Sequence, residues 1–226
     1  MSLSAAARFR GRIERRLLKD GLISAGVDEV GRGCLAGPVH AGCVVLDHDA
    51  LKRLPRATRL LIRDSKQLSA EQRAEVAPVL HEIALAAHVA EASVREIEAI
   101  GIAPATFLAM RHAVAGCAKV DFDVLLVDGK VPVAGYEGTQ LPIVKGDALC
   151  YAIAAASILA KEARDSWMRD QAAAFPHYGF DSHVGYGTAH HLAMIQKHGI
   201  CDLHRRNFSP IREALGFGEP SAPLLG

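Results

Sequence analysis

The chain predicts an α/β core with a helical appendage, and three observations carry that reading. Apolar stretches of strand length lead the sequence, at residues 23–28, 38–46 and 85–92. Helical and strand-like segments then alternate from residue 94 to residue 174. After Phe175 the pattern gives way to loop segments, Pro176-His-Tyr-Gly-Phe180 and Gly185-Tyr-Gly-Thr188, followed by a short capped helix. A length of 226 residues suits one substantial domain with a buried core. The expected organisation is a basic helical segment over 1–20, a catalytic core over 21–174, an appendage of the same domain over 175–215, and a disordered Gly- and Pro-containing tail over 216–226.

Taken in order, Ser4–Lys19 reads as a short basic helix whose apolar residues are too sparse to demand deep burial. Ile23–Asp28 is the first strand. Pro38–Leu46 is almost continuously apolar, the pattern of a strand buried on both faces. A charged connection, Asp47–Arg63, ends in Asp64-Ser-Lys-Gln-Leu-Ser69. Ser69 with Gln72 at the third helical position is a capping-box signature, so a helix runs from there to about His81. Leu85–Ala92 is the third strand. Helices follow over Val94–Ile100 and Pro104–Ala118, with Pro104 in the first turn, where a missing N–H costs nothing. Asp123–Gly129 is an apolar strand ending in an acid and a glycine, and Leu141–Asp147 repeats the arrangement. A long alanine-rich helix over 148–174 has a small face, Ala152, Ala155, Ala156 and Ala160, that would let it lie close against a sheet. Thr188 caps a last helix to about Lys197.

Composition narrows the functional classes. Half the residues are hydrophobic and 23% are charged, ordinary for a globular protein. A net charge of +1 gives no global attraction for polyanions, so any nucleic-acid surface must be a local patch. Basic residues do cluster, in Arg8–Lys19 and in His204-Arg-Arg206. The five cysteines are odd in number and contain no Cys-x-x-Cys pair, which favours reduced thiols in a cytosolic protein. The Arg-rich N-terminus lacks the apolar core of a secretory signal, and no apolar run reaches membrane-spanning length. The expectation is a soluble, cytoplasmic monomer.

The chemistry concentrates in Ala25-Gly-Val-Asp-Glu-Val-Gly-Arg-Gly-Cys-Leu-Ala-Gly-Pro-Val39. Successive strand side chains point to opposite faces, so Asp28 and Glu29 cannot both take the solvent face. A carboxylate pushed inward needs a cation, and a metal ion or Arg32 could supply it. Gly31 and Gly33 let the backbone turn and expose N–H groups to a phosphate. Two further acids, Asp128 and Asp147, close later strands. Residues at strand ends of α/β sheets gather at one rim, so if the first, fourth and fifth strands are neighbours the four carboxylates converge. Their mutual repulsion calls for a divalent cation, and all-oxygen ligands favour Mg²⁺ or Mn²⁺. Two such ions ~4 Å apart suit in-line attack on a phosphodiester.

At these residues the chain resembles bacterial ribonuclease HII, a type 2 ribonuclease H of the ribonuclease H superfamily. The matching segments are Gly26–Gly33, Asp64-Ser-Lys66, Val127-Asp-Gly129, Lys145-Gly-Asp147, Ala154–Lys161 with Arg164-Asp165, Gly185–Thr188 and His204-Arg-Arg206, in family order. The resemblance implies a ribonuclease H-like mixed sheet flanked by helices. It implies an endonuclease that cuts the RNA strand of RNA–DNA hybrids and incises 5′ of single ribonucleotides in duplex DNA, leaving 3′-hydroxyl and 5′-phosphate ends. Asp28, Glu29, Asp128 and Asp147 are the implied catalytic metal ligands. Gly31, Arg32, Gly33, Lys66, Lys145, Ser157, Lys161 and Tyr186 are the implied substrate contacts. Among them, Gly31-Arg32-Gly33 resembles the loop that recognises the ribose 2′-hydroxyl, and Tyr186 the tyrosine that stacks on the following sugar. Arg205 and Arg206 are further phosphate neighbours on this reading, and the tail is a candidate contact for a sliding clamp.

Other readings of the same residues differ in what they require. A catalytically silent nucleic-acid-binding module would be signalled by a lost acid, and all four are present. A junction resolvase would not need the Gly-Arg-Gly loop or Tyr186. His198-x-x-Cys201-x-x-His204 has spacing for zinc but no evident fourth ligand, so packed histidines and a thiol are the ordinary explanation. Asp165 lies about 27 Å along an unbroken helix from Asp147, which makes it an ion-pair residue unless the helix breaks. Several positions depart from the family pattern: Cys34, Gly101, Glu162 and Val184, the last in place of a lysine.

Overall fold

The computed structural model describes residues 10–216. Among them, five strands, β1 (Ser24–Val30), β2 (Val39–Leu46), β3 (Ala84–Ala92), β4 (Val124–Asp128) and β5 (Gln140–Ile143), form one sheet. The order is β3-β2-β1-β4-β5. β2 pairs antiparallel with β1 and β3, whereas β1, β4 and β5 run parallel. The sheet is therefore mixed, and the three acid-bearing segments are neighbours. β2 is buried along its whole length, as its unbroken apolar run predicts.

Two helices sandwich this sheet. α6 (Ile102–Gly116) covers one face and buries Ala105, Ala109, Met110 and Ala113 against Ala25, Val27, Ala41 and Cys43. α8 (Tyr151–Ala174) covers the other, and its small face is completely buried, with Ala152, Ala155, Ala156 and Ala160 all at 0% exposure. The approach is close enough that a Cβ on Gly26 would run into the backbone of Ala152 and Ile153, and one on Gly42 into the carbonyl of Ala156. Small residues are thus required on both partners. α4 (Ala70–Ile83) starts from the predicted capping box, with Ser69 and Gln72 satisfying each other's backbone N–H. α5 (Val94–Ile100) is capped the same way by Ser93 and Glu96.

Three parts depart from the sequence-based expectation. The charged connection forms two short helices, α2 (His48–Arg53) and α3 (Arg56–Leu61), the first capped by Asp47. The long helix expected over 148–174 is broken. A short α7 (Gly146–Leu149) ends at Cys150, which is extended at φ −119° and ψ 133°, before α8 begins. The third is α1 (Arg12–Lys19), the described part of the basic helix. It is not loosely attached, because Glu14 is 0% exposed and its carboxylate accepts the Ala152 N–H at 2.8 Å. Gly11 N–H donates to Leu149 O at 2.7 Å, and buried Arg10 donates to Ala148 O and Ile62 O. The break in the helix and the burial of α1 share one cause. The chain ends exposed by the kink are satisfied by residues 10–14, which sparse apolar periodicity could not reveal. The remainder of that basic segment and the tail beyond Gly216 lie outside the described residues.

The appendage packs as short helices, α9 (Phe180–His183), α10 (Ala189–His198, capped by Thr188 as expected) and α11 (Ser209–Ala214). They enclose Tyr178, Phe180, Ile195 and Ile211 together with Leu35 and Met168 from the core. No helix among the described residues is long and apolar enough to cross a membrane.

Candidate active site

The acids are placed by strand register. Val27 is paired with Val127 across the parallel β1–β4 ladder, so Asp28 and Asp128 stand one step further on both strands. Asp28 has the same parity as Gly26 and therefore faces α8, where the Ser157 hydroxyl favours its charged form. Asp28 accepts the Glu29 N–H at 2.7 Å. It is only 6% exposed, and burial, then the charges of Glu29 and Asp128, push its pKa well above the ordinary carboxylate range. Glu29 takes the opposite direction and meets Arg32 at 3.4 Å. Burial raises its pKa too, with Arg32 opposing. Of the two partners open to the Asp28–Glu29 pair, Arg32 serves Glu29, which leaves Asp28 the more desolvated and less compensated acid.

Asp147 is not at a strand end. β5 stops at Ile143, and Lys145 turns the chain through a left-handed conformation (φ 58°) into α7, whose first turn holds Asp147. That corner brings the Gly146 and Asp147 amides onto Asp128 Oδ1, at 2.7 and 3.3 Å. Burial raises the pKa of Asp147 to about 6, with Asp64 and Asp128 adding to the effect. Asp64 thus belongs to the same electrostatic group. Among the described residues no three His, Cys, Asp or Glu side chains form a ready metal-binding cluster. The acids face one another without making a closed shell by themselves.

Beside them lies a cleft of about 250 Å³ whose lining includes Glu29, Gly31, Arg32, Gly33, Ser65, Lys66, Ser157, Lys161 and Tyr186. Lys66 reaches it from the Ser65–Gln67 turn. Burial works against its charge, but Asp28, Asp64 and Asp147 outweigh that and hold its pKa above the usual lysine value. Tyr186 is 39% exposed, with Lys161 Nζ 5.6 Å from its ring centroid. Lys161 also pairs with buried Asp165 at 2.7 Å, and Asp165 with Arg73 at 3.1 Å. Arg73 further binds Glu162 at 2.9 Å, which accounts for an acid at that helix position. Asp165 is an ion-pair residue, as expected, and the helix break does not bring it to the acids. Ser157 lines the cleft but is 3% exposed, and its hydroxyl is 2.9 Å from Ser65 Oγ and acts on the charge of Asp28. Its place is behind an acid rather than at the cleft mouth. Lys145 is exposed and lies outside the residues lining the cleft; its visible role is the left-handed corner.

Two buried arginines hold the Gly-Arg-Gly loop. Arg205, 0% exposed, donates to Gly31 O (2.8 Å), Arg32 O (2.9 Å) and Gly37 O (2.8 Å). Arg164, also 0% exposed, donates to Ala36 O, Pro38 O and Val184 O. Gly31 sits at φ 92°, and a Cβ there would collide with the Arg164 side chain. Arg205 is therefore no phosphate neighbour, because it is fully buried and gives three of its five N–H groups to carbonyls. Arg206 does reach solvent, beside Asp202 at 3.8 Å. The other rim, residues 184–186, is tied to the loop by Leu35 N–H to Gly185 O at 2.8 Å. Val184 is buried, so an apolar side chain at this position serves packing.

Histidines fix the Tyr186 segment from behind. The Tyr186 carbonyl can only accept, so His191 Nδ1 donates to it at 2.9 Å. His191 Nε2 must then accept from His204 Nε2 at 3.1 Å, and His204 Nδ1 accepts the Cys201 N–H at 2.9 Å. Burial pushes the pKa of both rings down to about 4, in keeping with neutral imidazoles. His198 instead stacks on His177 at 4.7 Å, so the His198–Cys201–His204 spacing builds no zinc site.

The same architecture occurs in the solved ribonuclease H2 of Pyrococcus horikoshii, with a TM-score of 0.71 and 24% identity over 85% of this chain and 97% of that one. The mixed five-stranded sheet flanked by helices is thus a ribonuclease H-like fold. The family model for ribonuclease HII matches residues 25–211. Ribonuclease HII of Ralstonia nicotianae is 47% identical over 225 residues, which span 98% of this chain and 88% of that protein. Ribonuclease HII of Bordetella pertussis is 48% identical over 198 residues, covering 88% and 92%. The chain belongs to the ribonuclease HII family.

Proposed function

We propose that this protein is a divalent-metal-dependent endoribonuclease of the cytoplasm. It hydrolyses the RNA strand of RNA–DNA hybrids and incises 5′ of single ribonucleotides in duplex DNA, leaving 3′-hydroxyl and 5′-phosphate ends. The observation that carries this reading is that the acid Glu29 and a loop suited to ribose share one cleft beside the other acids, with Glu29, Gly31-Arg32-Gly33 and Tyr186 on its walls.

The donor set fits a hard divalent cation. The oxygens are carboxylates, the described residues contain no competing Cys/His cluster, and Asp28 is buried beside two more acids. Asp28, Glu29, Asp128 and Asp147 would hold Mg²⁺ or Mn²⁺, which when bound neutralises charge at a phosphate undergoing in-line displacement. The chain's own groups do the rest. The Gly146 and Asp147 amides orient Asp128. Arg205 and Arg164 keep the loop in one shape, so that Arg32 and the flanking amides meet the ribose 2′-hydroxyl and its phosphate without reorganising. Tyr186 offers a face for the next sugar, steadied by Lys161 and by the carbonyl bond from His191. Lys66 meets phosphate charge at the cleft rim. No histidine is required as a base.

The direct test is a labelled DNA duplex carrying one ribonucleotide, incubated with Mg²⁺, Mn²⁺ or EDTA. Metal-dependent cutting on the 5′ side is the expected result. Intact duplex after incubation with folded protein and either metal would leave only a silent binding module. Co-elution with a sliding clamp, lost on removal of residues 217–226, is the corresponding expectation for the tail.

A further inference from the structure

A second cationic site lies behind Asp147. Arg10, Arg15, Lys52 and Arg59 line a hollow of about 240 Å³ with His48 and Tyr151, and no carboxylate is among the described residues that line it. A larger, more open hollow continues from it along α1, sharing Arg15 and adding Arg12, Arg16 and Lys19, with Asp20 the one acid among the described residues that line it. In a protein of net charge +1 this is a strong local concentration. Some of these groups have internal partners. Lys52 pairs with Asp49 at 2.9 Å, Arg15 Nη1 donates to Arg10 O at 3.2 Å, and Arg59 Nη1 to Lys52 O at 3.1 Å. Of these three bonds only the first pairs opposite charges, and that pair is exposed on both sides; the charge of buried Glu14 acts on Arg10 and Arg15 as well.

We propose that this hollow is a second phosphate-binding track for the nucleic-acid strand, outside the acid-lined cleft. The proposal rests on the nucleic-acid reading above and adds a site to it. Continuity supports it. Arg10 donates to Ala148 O and to Ile62 O, so it ties the basic hollow to the two chain segments that carry Asp147 and Asp64. The charges of Asp147 and Arg63 both act on Arg10. Buried Arg10 adds its charge from behind, and a strand passing Asp147 would meet the more accessible Arg15, Lys52 and Arg59. Like charges held round an open hollow repel one another, and a polyanion relieves that repulsion while releasing its own counterions. The chemistry selects phosphodiester charge and no base sequence.

The test uses ordinary duplex DNA with no ribonucleotide, so it does not depend on cleavage. Binding is measured by anisotropy across a salt series for wild type, the triple variant Arg15→Gln/Lys52→Gln/Arg59→Gln, and the charge-conserving Arg15→Lys/Lys52→Arg/Arg59→Lys. Each lost phosphate contact should lower the slope of log affinity against log salt by about 0.9, so the Gln variant should lose about 2 to 3 and the conserving variant little. An unchanged slope in the Gln variant would overturn the track. An equal loss in both variants would also overturn it, because the effect would then be structural. Failure of ribonucleotide incision with a groove-dependent slope would instead sink the function above and leave this site standing.

Discussion

The acid rim and the arginine-held loop meet in one cleft, yet they follow opposite electrostatic plans. At the rim, Asp28, Glu29 and Asp147 all have raised pKa values, burial being the largest cause of each. Behind the loop, Arg205 and Arg164 are at least as deeply buried, but each spends its guanidinium on three backbone carbonyls. On the proposed reading the less compensated charge is where a cation and substrate would sit, and the carbonyl-bound charge belongs to the scaffold, although burial still pushes Arg205 down to about 10. Exposure sorts the arginines likewise. Arg32 has a side chain 51% exposed beside Glu29, whereas Arg205 has none.

That contrast can be broken at either end. The largest effect is expected for Asp128→Asn, which keeps an oxygen for the Gly146 and Asp147 amides but removes a charge from the rim. Cleavage should fall on the order of 10³-fold or more while duplex binding and thermal midpoint stay near wild type. Wild-type turnover would remove Asp128 from the site. Arg205→Ala should act oppositely, through stability. Carbonyls of Gly31, Arg32 and Gly37 lose their donor, at a cost of about 3 kcal/mol or more in urea melts. A variant as stable as wild type would mean the loop holds its shape unaided.

Tyr186→Ala tests the recognition wall and should lower kcat/KM at single ribonucleotides roughly 10-fold, in line with the loss of one stacking face. Equal incision rates would take Tyr186 out of substrate contact. The smallest effect is expected from pH on the appendage. His191 and His204 have folded pKa values of about 4, below the ordinary histidine value of 6.5, so the unfolded chain binds more protons between them. Their contribution to stability is complete above about pH 6.5 and is lost as pH falls toward 4. The urea midpoint should drop over that window, and His191→Gln should flatten the drop; an unaltered profile would exclude the histidine pair as its source.

Much of the fold was legible because periodicity and capping report local preferences. The continuous apolar run of β2, the Ser69–Gln72 box, the small face of α8 and the Thr188 cap each appear where the residues predict. The acids were legible for a related reason: two carboxylates in adjacent strand positions conflict with ordinary burial, and that conflict can be seen without a structure. Long-range satisfaction was not legible. Nothing local says that Glu14 accepts from Ala152, that the helix breaks at Cys150 so that Asp147 bonds toward Asp128, or that Arg205 turns inward while Arg206 reaches water. Asp64 was noted as part of a motif, but its influence on Asp147 depends on a fold-level approach. Lys145 and Lys161 looked alike as phosphate neighbours, and only packing separates a backbone corner from a lysine held between Asp165 and Tyr186.

The clamp on the loop also sets an order of events during synthesis. Gly31 and Arg205 are 174 positions apart, and the Glu14 to Ala152 bond spans 138. A nascent chain that has emerged through β5 already carries Asp28, Glu29 and Asp128, but its Gly-Arg-Gly loop has no guanidinium beneath it. Contacts of such separation form late, because the intervening chain must first be made and closed. The acids are therefore made early and the loop that aims them is locked last, which leaves the growing polypeptide an unfinished tool until its final helices arrive.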